Sequence, residues 1–172
     1  MTTKSKIICI IGKPCSGKST VSKKLLHLGW NVINVGERLR SSKNLDVQRN
    51  LANGTYIDPD TIMSIIGHDF RNKTVILDGY PRDLKQLEYL EEAVSRNTIY
   101  IELLCSDKVC VQRAAKRRRC DDSTIKQRLK KHALESTFYQ HMDIIKVDAS
   151  TKTDDDVYEF VKSIIHWKGI EK

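Results

Sequence analysis

An α/β fold in three layers, with helices on both faces of a five-stranded parallel sheet, is predicted by three observations. Five short apolar runs recur along the chain. Segments of helical apolar spacing separate them. A glycine-rich bend follows the first run directly. Strands that alternate with helices are joined by crossovers rather than hairpins, so they pair in parallel and need cover on both sides.

The first run, residues 6–11 (KIICII), is continuous, β-branched and ended by Gly12, as suits a strand buried on both faces. Residues 18–29 carry Val21, Leu25 and Leu28 at helical spacing. The stretch 30–35 (WNVINV) is a second strand, and 36–54 is polar and helical in pattern. Asp58 is a candidate N-cap with Pro59 at the first helical position. A third strand, 74–77 (TVIL), leaves abruptly through Asp78-Gly79-Tyr80-Pro81 into a helix marked by Leu84, Leu87, Leu90 and Val94. Residues 98–104 are a fourth strand, 107–116 and 123–139 two helices, 144–147 a fifth strand and 154–167 a last amphipathic helix. No repeat, low-complexity stretch or linker divides the chain, so one domain over 1–172 is expected.

Composition bounds the function. Hydrophobic residues make up 40% and charged residues 30%, the balance of a globular chain rather than a disordered one. No apolar run approaches the roughly 20 residues of a membrane span, and the start has no signal-peptide pattern. Five cysteines without CxxC spacing read as free thiols rather than a disulfide framework or zinc site. Together these predict a reducing, cytoplasmic location. The net charge of +8 predicts anionic partners, either nucleic acid or small phosphates.

The bend Gly12-Lys13-Pro14-Cys15-Ser16-Gly17-Lys18-Ser19 fits G-x-x-x-x-G-K-[ST], between a predicted strand and a predicted helix. Backbone N–H groups of such a loop and of the helix that follows point into one concavity and bind phosphate. Lys18 supplies a point charge to the β- and γ-phosphates, and the Ser19 hydroxyl is a ligand for Mg²⁺. Residues 12–20, Thr20 included, are therefore the candidate ATP site.

Beyond the bend, the sequence resembles adenylate kinase and the nucleoside monophosphate kinases over nearly its whole length. Asp78-Gly79-Tyr80-Pro81-Arg82 is similar to that family's D-G-[FY]-P-R signature. The resemblance implies that Asp78 orients the magnesium water shell and that Gly79, Tyr80 and Arg82 meet the acceptor. A carboxylate at the C-terminal end of a buried parallel strand does face the ligand crevice, and an arginine offers a bidentate fork to phosphate. The family fold implies the P-loop strand order 2-3-1-4-5.

The segment from Val35 to Arg40 resembles the family's S-T-G-D-L-L-R, which implies Arg40 on the acceptor phosphate and Val35 and Leu39 beside its base. Gly54-Thr55-Tyr56-Ile57 resembles the turn that faces the base, so Tyr56 and Ile57 join the acceptor site. The span between these motifs is short, which implies a small acceptor flap over about 35–67. Gln86 stands where adenylate kinases bind adenine. An amide carries both a donor and an acceptor, which suits that base.

Further on, Arg113, Arg117, Arg119, Asp121, Asp122 and Arg128 resemble the family's R-x-x-x-R…R-x-D-D…R-L region. The resemblance implies Arg113 on the adenine of ATP, Arg117 on the transferring group, and Arg119 and Arg128 on both substrates' phosphates, with Asp121 and Asp122 positioning them. Only Arg118 separates Arg117 from Arg119, so the lid is reduced to about 117–120 and the three arginines share its roles. Cys15 stands where the family usually has glycine, and it should restrict the loop.

The resemblance thus implies a monomeric, Mg²⁺-dependent transfer of the ATP γ-phosphate to a nucleoside monophosphate, AMP first. Lys18, Arg82, Arg117, Arg119 and Arg128 would carry the catalysis. UMP, CMP or another small acceptor is the alternative within that chemistry. A nucleotide-dependent RNA-binding module, using the basic run 116–119, is the alternative outside it, and the retained acceptor-side arginines argue against it.

Overall fold

The computed structural model describes residues 6–55, 57–70, 74–94, 97–117 and 121–170. Strands β1 (Ile7–Gly12), β2 (Asn31–Asn34), β3 (Val75–Asp78), β4 (Thr98–Leu104) and β5 (Ile144–Asp148) form one parallel sheet in the order β2-β3-β1-β4-β5. This is the predicted fold class and order. Helices α1 (Lys18–His27), α2 (Val35–Ser41), α3 (Leu45–Asn53), α4 (Pro59–Ile66), α5 (Leu84–Tyr89), α6 (Asp107–Lys116), α7 (Asp122–Glu135) and α8 (Asp154–Trp167) complete it.

The pleat of β1 divides the core. Ile7, Cys9 and Ile11 face a cluster with Val35, Leu39, Ile62 and Leu90. Ile8 and Ile10 face the opposite cluster, with Val21, Leu25, Val157 and Val161 of α1 and α8. Alternate strand residues point to opposite faces. An apolar run without alternation therefore needs two apolar layers, and both are present.

Local chemistry sets the breaks that periodicity did not reveal. The stretch 36–54 is two helices. Asn44 caps α3 by accepting from the Asp46 and Val47 amides. Gln48 Nε2 donates to Leu39 O at 3.0 Å and Ser42 O at 2.8 Å, satisfying carbonyls at the end of α2. Asn34 caps α2, so Val35 opens a helix instead of ending a strand. α7 ends at Glu135 and continues as the 3₁₀ segment Ser136–His141. Asp58 caps α4 with Pro59 at its start, as the sequence predicts.

The strand order reverses at β1, with β3 and β2 on one side and β4 and β5 on the other. Ligands of open α/β sheets bind at such a reversal, beyond the C-terminal ends of the strands. Gly12, Asn34 and Asp78 end their strands there.

Leu77 lies in the middle of this sheet with no exposed surface. Leu77→Ala is expected to cost about 2–5 kcal/mol of unfolding free energy, the range for a large core residue cut to alanine. Urea denaturation checks it, and a loss below about 0.5 kcal/mol, the scale of surface substitutions, would contradict the packing described.

Candidate active site

β1 delivers the chain into the phosphate loop at Gly12, whose φ of 136° lies in the region open to glycine. A Cβ there would stand 2.7 Å from Leu103 O of the neighbouring strand, so both the dihedral and the space require glycine. Cys15 has φ 62°, the one left-handed non-glycine among the described residues. It is strained in the way its departure from the glycine pattern predicts.

The loop folds around Lys18. The ammonium donates to Gly12 O at 2.7 Å and Lys13 O at 2.6 Å, with Ser16 Oγ at 3.5 Å. Burial lowers the Lys18 pKa to about 8; Asp78 opposes the shift and Arg82 adds to it. Asp78 is buried at the end of β3, and its pKa is raised by that burial against the pull of Lys18 and of hydrogen bonds from Ser19 and Asn34. Asn34 Nδ2 donates to Asp78 Oδ2 at 2.7 Å while its Oδ1 accepts from the Glu37 amide. One side chain therefore caps α2 and holds the acid in place.

A cavity of about 480 Å³ opens above the loop. Its wall brings together Gly12, Pro14, Cys15, Ser16, Gly17, Lys18 and Ser19 with Val35, Leu39, Arg40, Ile57, Asp78, Gly79, Tyr80, Arg82, Gln86, Arg117 and Arg128. Arg40 and Arg82 converge over Gly36. A Cβ there would meet Arg40 Nη1 at 3.2 Å and Arg82 Nη2 at 3.3 Å. Arg82 also donates from Nε to Gly79 O at 3.1 Å. Arg82 is exposed to the cavity, but the protein around it desolvates the guanidinium and lowers its pKa; Arg128 and Arg40 add to this and Glu135 opposes. Among the described residues, Arg40, Arg82 and Arg128 form no ion pair. Three converging, unpaired guanidinium groups make a site for an anion.

Gln86 is buried, not solvated. Its Oε1 accepts from the Arg82 amide at 2.9 Å, which turns the Nε2 amide away from that backbone.

Three predicted ATP-site residues do not line the cavity. Arg113 is packed against the loop: its Nη1 donates to Ser16 O at 3.0 Å, and its Nη2 stands 3.9 Å from Asp154 Oδ1. Carbonyl and carboxylate acceptors on that side fix its guanidinium behind the loop. Lys13 pairs with Asp107 at 2.7 Å. Thr20 Oγ1 accepts from Arg117 Nη2 at 3.1 Å, which leaves Arg117 on the wall. Asp121 caps α7, its side chain accepting from the Thr124 amide. Tyr56, Arg118 and Arg119 lie outside the described residues, as does Cys120; Cys9, Cys15, Cys105 and Cys110 are free thiols.

Several wall residues escaped the sequence reading. Lys131, His132 and Glu135 join Arg128 on one face of α7. Their spacing of three, four and seven from Arg128 is a helical stripe that periodicity could have found. Lys131 Nζ also donates to Gly54 O at 2.8 Å, tying α7 to the turn after α3. Among the described residues, no group of three or more His, Cys, Asp or Glu side chains is placed to hold a metal ion. Ser19 and Asp78 are hard oxygen donors, the kind Mg²⁺ takes singly while keeping waters and phosphate ligands. Asn34 Nδ2 reaches both, at 3.4 Å from Ser19 Oγ, so the pair fits that ion.

A parallel sheet reversing at a glycine-rich loop, with the loop lysine facing convergent arginines, defines a P-loop kinase. Residues 11–130 match the family described as AAA domain, and the chain belongs to it. Within that broad grouping it is a divergent relative of the adenylate kinases. It is 29% identical to adenylate kinase isoenzyme 1 of Gallus gallus over 182 residues, 93% of this chain and 94% of that protein. It is 38% identical to adenylate kinase of Mesomycoplasma hyopneumoniae (strain 7448) over 103 residues, 50% of this chain and 46% of that protein. A gluconokinase from Sinorhizobium meliloti 1021 shares the fold with TM-score 0.66 at 14% identity, covering 98% of this chain and 99% of that one.

Only the ammonium form of Lys18 attracts phosphate, and its pKa of about 8 puts the loss of that form within reach. The affinity for a non-hydrolysable ATP analogue should fall as pH rises above about 8, approaching tenfold per unit at the limit. Calorimetric titration from about pH 7 to about pH 9.5 checks this, and an affinity that stays flat would contradict the burial of Lys18.

Proposed function

We propose that this kinase transfers the γ-phosphoryl group of ATP to a nucleoside monophosphate, with AMP as the preferred acceptor. The observation that carries the reading is the convergence of Arg40, Arg82 and Arg128 across one cavity from the Lys18 loop, with buried Gln86 in the same wall. A donor polyphosphate in the loop and an acceptor phosphate on the arginines would share that space.

Phosphoryl transfer asks mainly for positioning and for neutralisation of charge on the transferring oxygens. Lys18 leaves the loop carbonyls for the β- and γ-phosphates. Arg82 and Arg128 hold the acceptor phosphate in line, and Arg117, at the start of the short connection between α6 and α7, meets the transferring group from the other side. Arg40 clamps the acceptor's phosphate. An acceptor phosphate oxygen is already a nucleophile, so no general base is needed. Ser19 and Asp78 would hold magnesium, which would supply further positive charge to the phosphates. Residues 35–67 act as the acceptor flap, and the cut-down lid, about 117–120, leaves water exclusion largely to closure of the arginines.

Adenine as the base follows from Gln86. One lone pair of its carbonyl accepts from the Arg82 amide; the second is left for the 6-amino group of adenine while Nε2 donates to N1, the donor and acceptor together that suit this base. Val35, Leu39 and Ile57 supply the apolar sides of the base site. The names of the relatives agree with this acceptor: adenylate kinases from vertebrates and a mycoplasma.

A coupled assay with Mg-ATP and a panel of AMP, GMP, UMP, CMP and gluconate tests the reading. AMP is expected to give the highest kcat/KM. Arg82→Ala should lower it by about 10³-fold or more, as for other arginines that stabilise phosphoryl transfer, with the far-UV circular dichroism unchanged. Turnover of gluconate above every nucleotide, or an Arg82→Ala variant of unimpaired rate, would overturn it.

A further inference from the structure

The chemistry just described leaves one wall residue without a part. His132 projects from α7 into the cavity lining. Its Nδ1 lies 3.4 Å from Ser136 Oγ, and its ring meets Tyr139 edge-on at 6.1 Å between centroids. Its Nε2 is buried and has no hydrogen-bond partner among the described residues. Leaving a buried polar atom unmatched costs about 1–3 kcal/mol. Such an atom beside a ligand cavity calls for an explanation, and a partner that arrives with the ligand is one.

We infer that His132 is a further substrate-binding residue of this cavity, which takes up a proton when the polyphosphate formed by the two substrates binds. The inference rests on the nucleotide kinase reading above.

The reasoning is electrostatic. Lys13 of the phosphate loop, Lys18 at the start of α1 and Arg82 after β3 act on the imidazole as positive charges, and Asp107 at the start of α6 opposes them. Tyr139 packs on it from the 3₁₀ segment, and Arg128, Lys131 and Glu135 share its helix face. Cations prevail, so the free protein keeps the ring neutral. Burial first, then Lys18, Lys13 and Arg82, hold its pKa down to about 4.

A bound polyphosphate reverses that field. It brings several negative charges into the space these same cations surround. The imidazolium then becomes the favoured form, with an N–H donor at each ring nitrogen. Ser136 Oγ accepts from Nδ1, and Nε2 gains a phosphate oxygen as the partner it lacks. Ligand binding and proton binding strengthen each other by the same factor. Substrate affinity should therefore rise as pH falls from about 7 toward about 5.5, as His132 approaches its ordinary range.

The test uses a dinucleoside pentaphosphate, which joins donor and acceptor and has no terminal phosphate to titrate. Calorimetry at about pH 6, in two buffers of different ionisation enthalpy, reads the protons taken up on binding. The wild-type protein should take up at least about 0.3 proton more than His132→Gln, which keeps an amide donor but cannot titrate. The C2–H resonance of His132 in the wild-type protein gives an independent reading. Its pKa should rise by at least about 1.7 units on binding, the rise that an uptake of about 0.3 proton at that pH requires. Equal uptake by the two proteins, or an unmoved resonance in the complex, overturns the inference while the kinase reading stands. Failure of the wild-type protein to bind the compound sinks the kinase reading and this inference with it.

Discussion

A single buried ammonium group organises this molecule. Lys18 carries its charge to the reversal of the sheet, where burial lowers its pKa to about 8, and two carbonyls of its own loop hold it there. Those carbonyls point inward only because Gly12 turns at φ 136° hard against Leu103 O. Gly12 can stand there only because β1 runs between β3 and β4. Asp78, brought alongside by β3, partly restores the stability of the charged form. The strand order, the loop and the acid thus serve one cation, and the cation defines where phosphate goes.

Among the described residues, three arginines of the cavity form no ion pair. Arg40, Arg82 and Arg128 come from three separate parts of the chain, and after desolvation their mutual repulsion adds to the lowering of the Arg82 pKa. Crowded like charges destabilise a folded protein. Natural folds retain such arrangements where a ligand supplies the missing charge. His132 belongs to the same field of charge: burial first, and then its positive neighbours, keep it neutral. An incoming polyphosphate relieves the arginines, draws Lys18 from its carbonyls and changes the preferred state of the imidazole.

Much of the scaffold was legible because each strand and the phosphate loop are local in sequence. The unbroken apolar run 6–11 forecast two apolar layers, and Ile7 and Ile8 do face opposite clusters. The resemblance singled out Gln86 for the acceptor's base, but the Arg82 amide bonded to its carbonyl, which goes with its burial, was not legible in the sequence. Arg113 is a similar case. Its sequence position gave no sign that acceptors on the loop and on α8, Ser16 O and Asp154, would hold its guanidinium. Asn34 was hidden because it does two things at once, as cap for α2 and partner to Asp78. The stripe of Arg128, Lys131, His132 and Glu135 on α7 was written in the spacing, but attention to the arginines alone passed over it. Helix breaks depended on side-chain caps at Asn44 and Gln48 that a count of apolar residues does not register.

The central claim is that cations from distant parts of the chain close on one polyphosphate held by the loop. A crystal structure of the protein with a dinucleoside pentaphosphate and Mg²⁺ measures this directly. The account requires Lys18 Nζ to have moved from the Gly12 and Lys13 carbonyls to phosphate oxygens, with Arg82 and Arg128 both within hydrogen-bonding distance of the same phosphate chain. Phosphates seated in the loop with Arg82 and Arg128 turned away from them would contradict it.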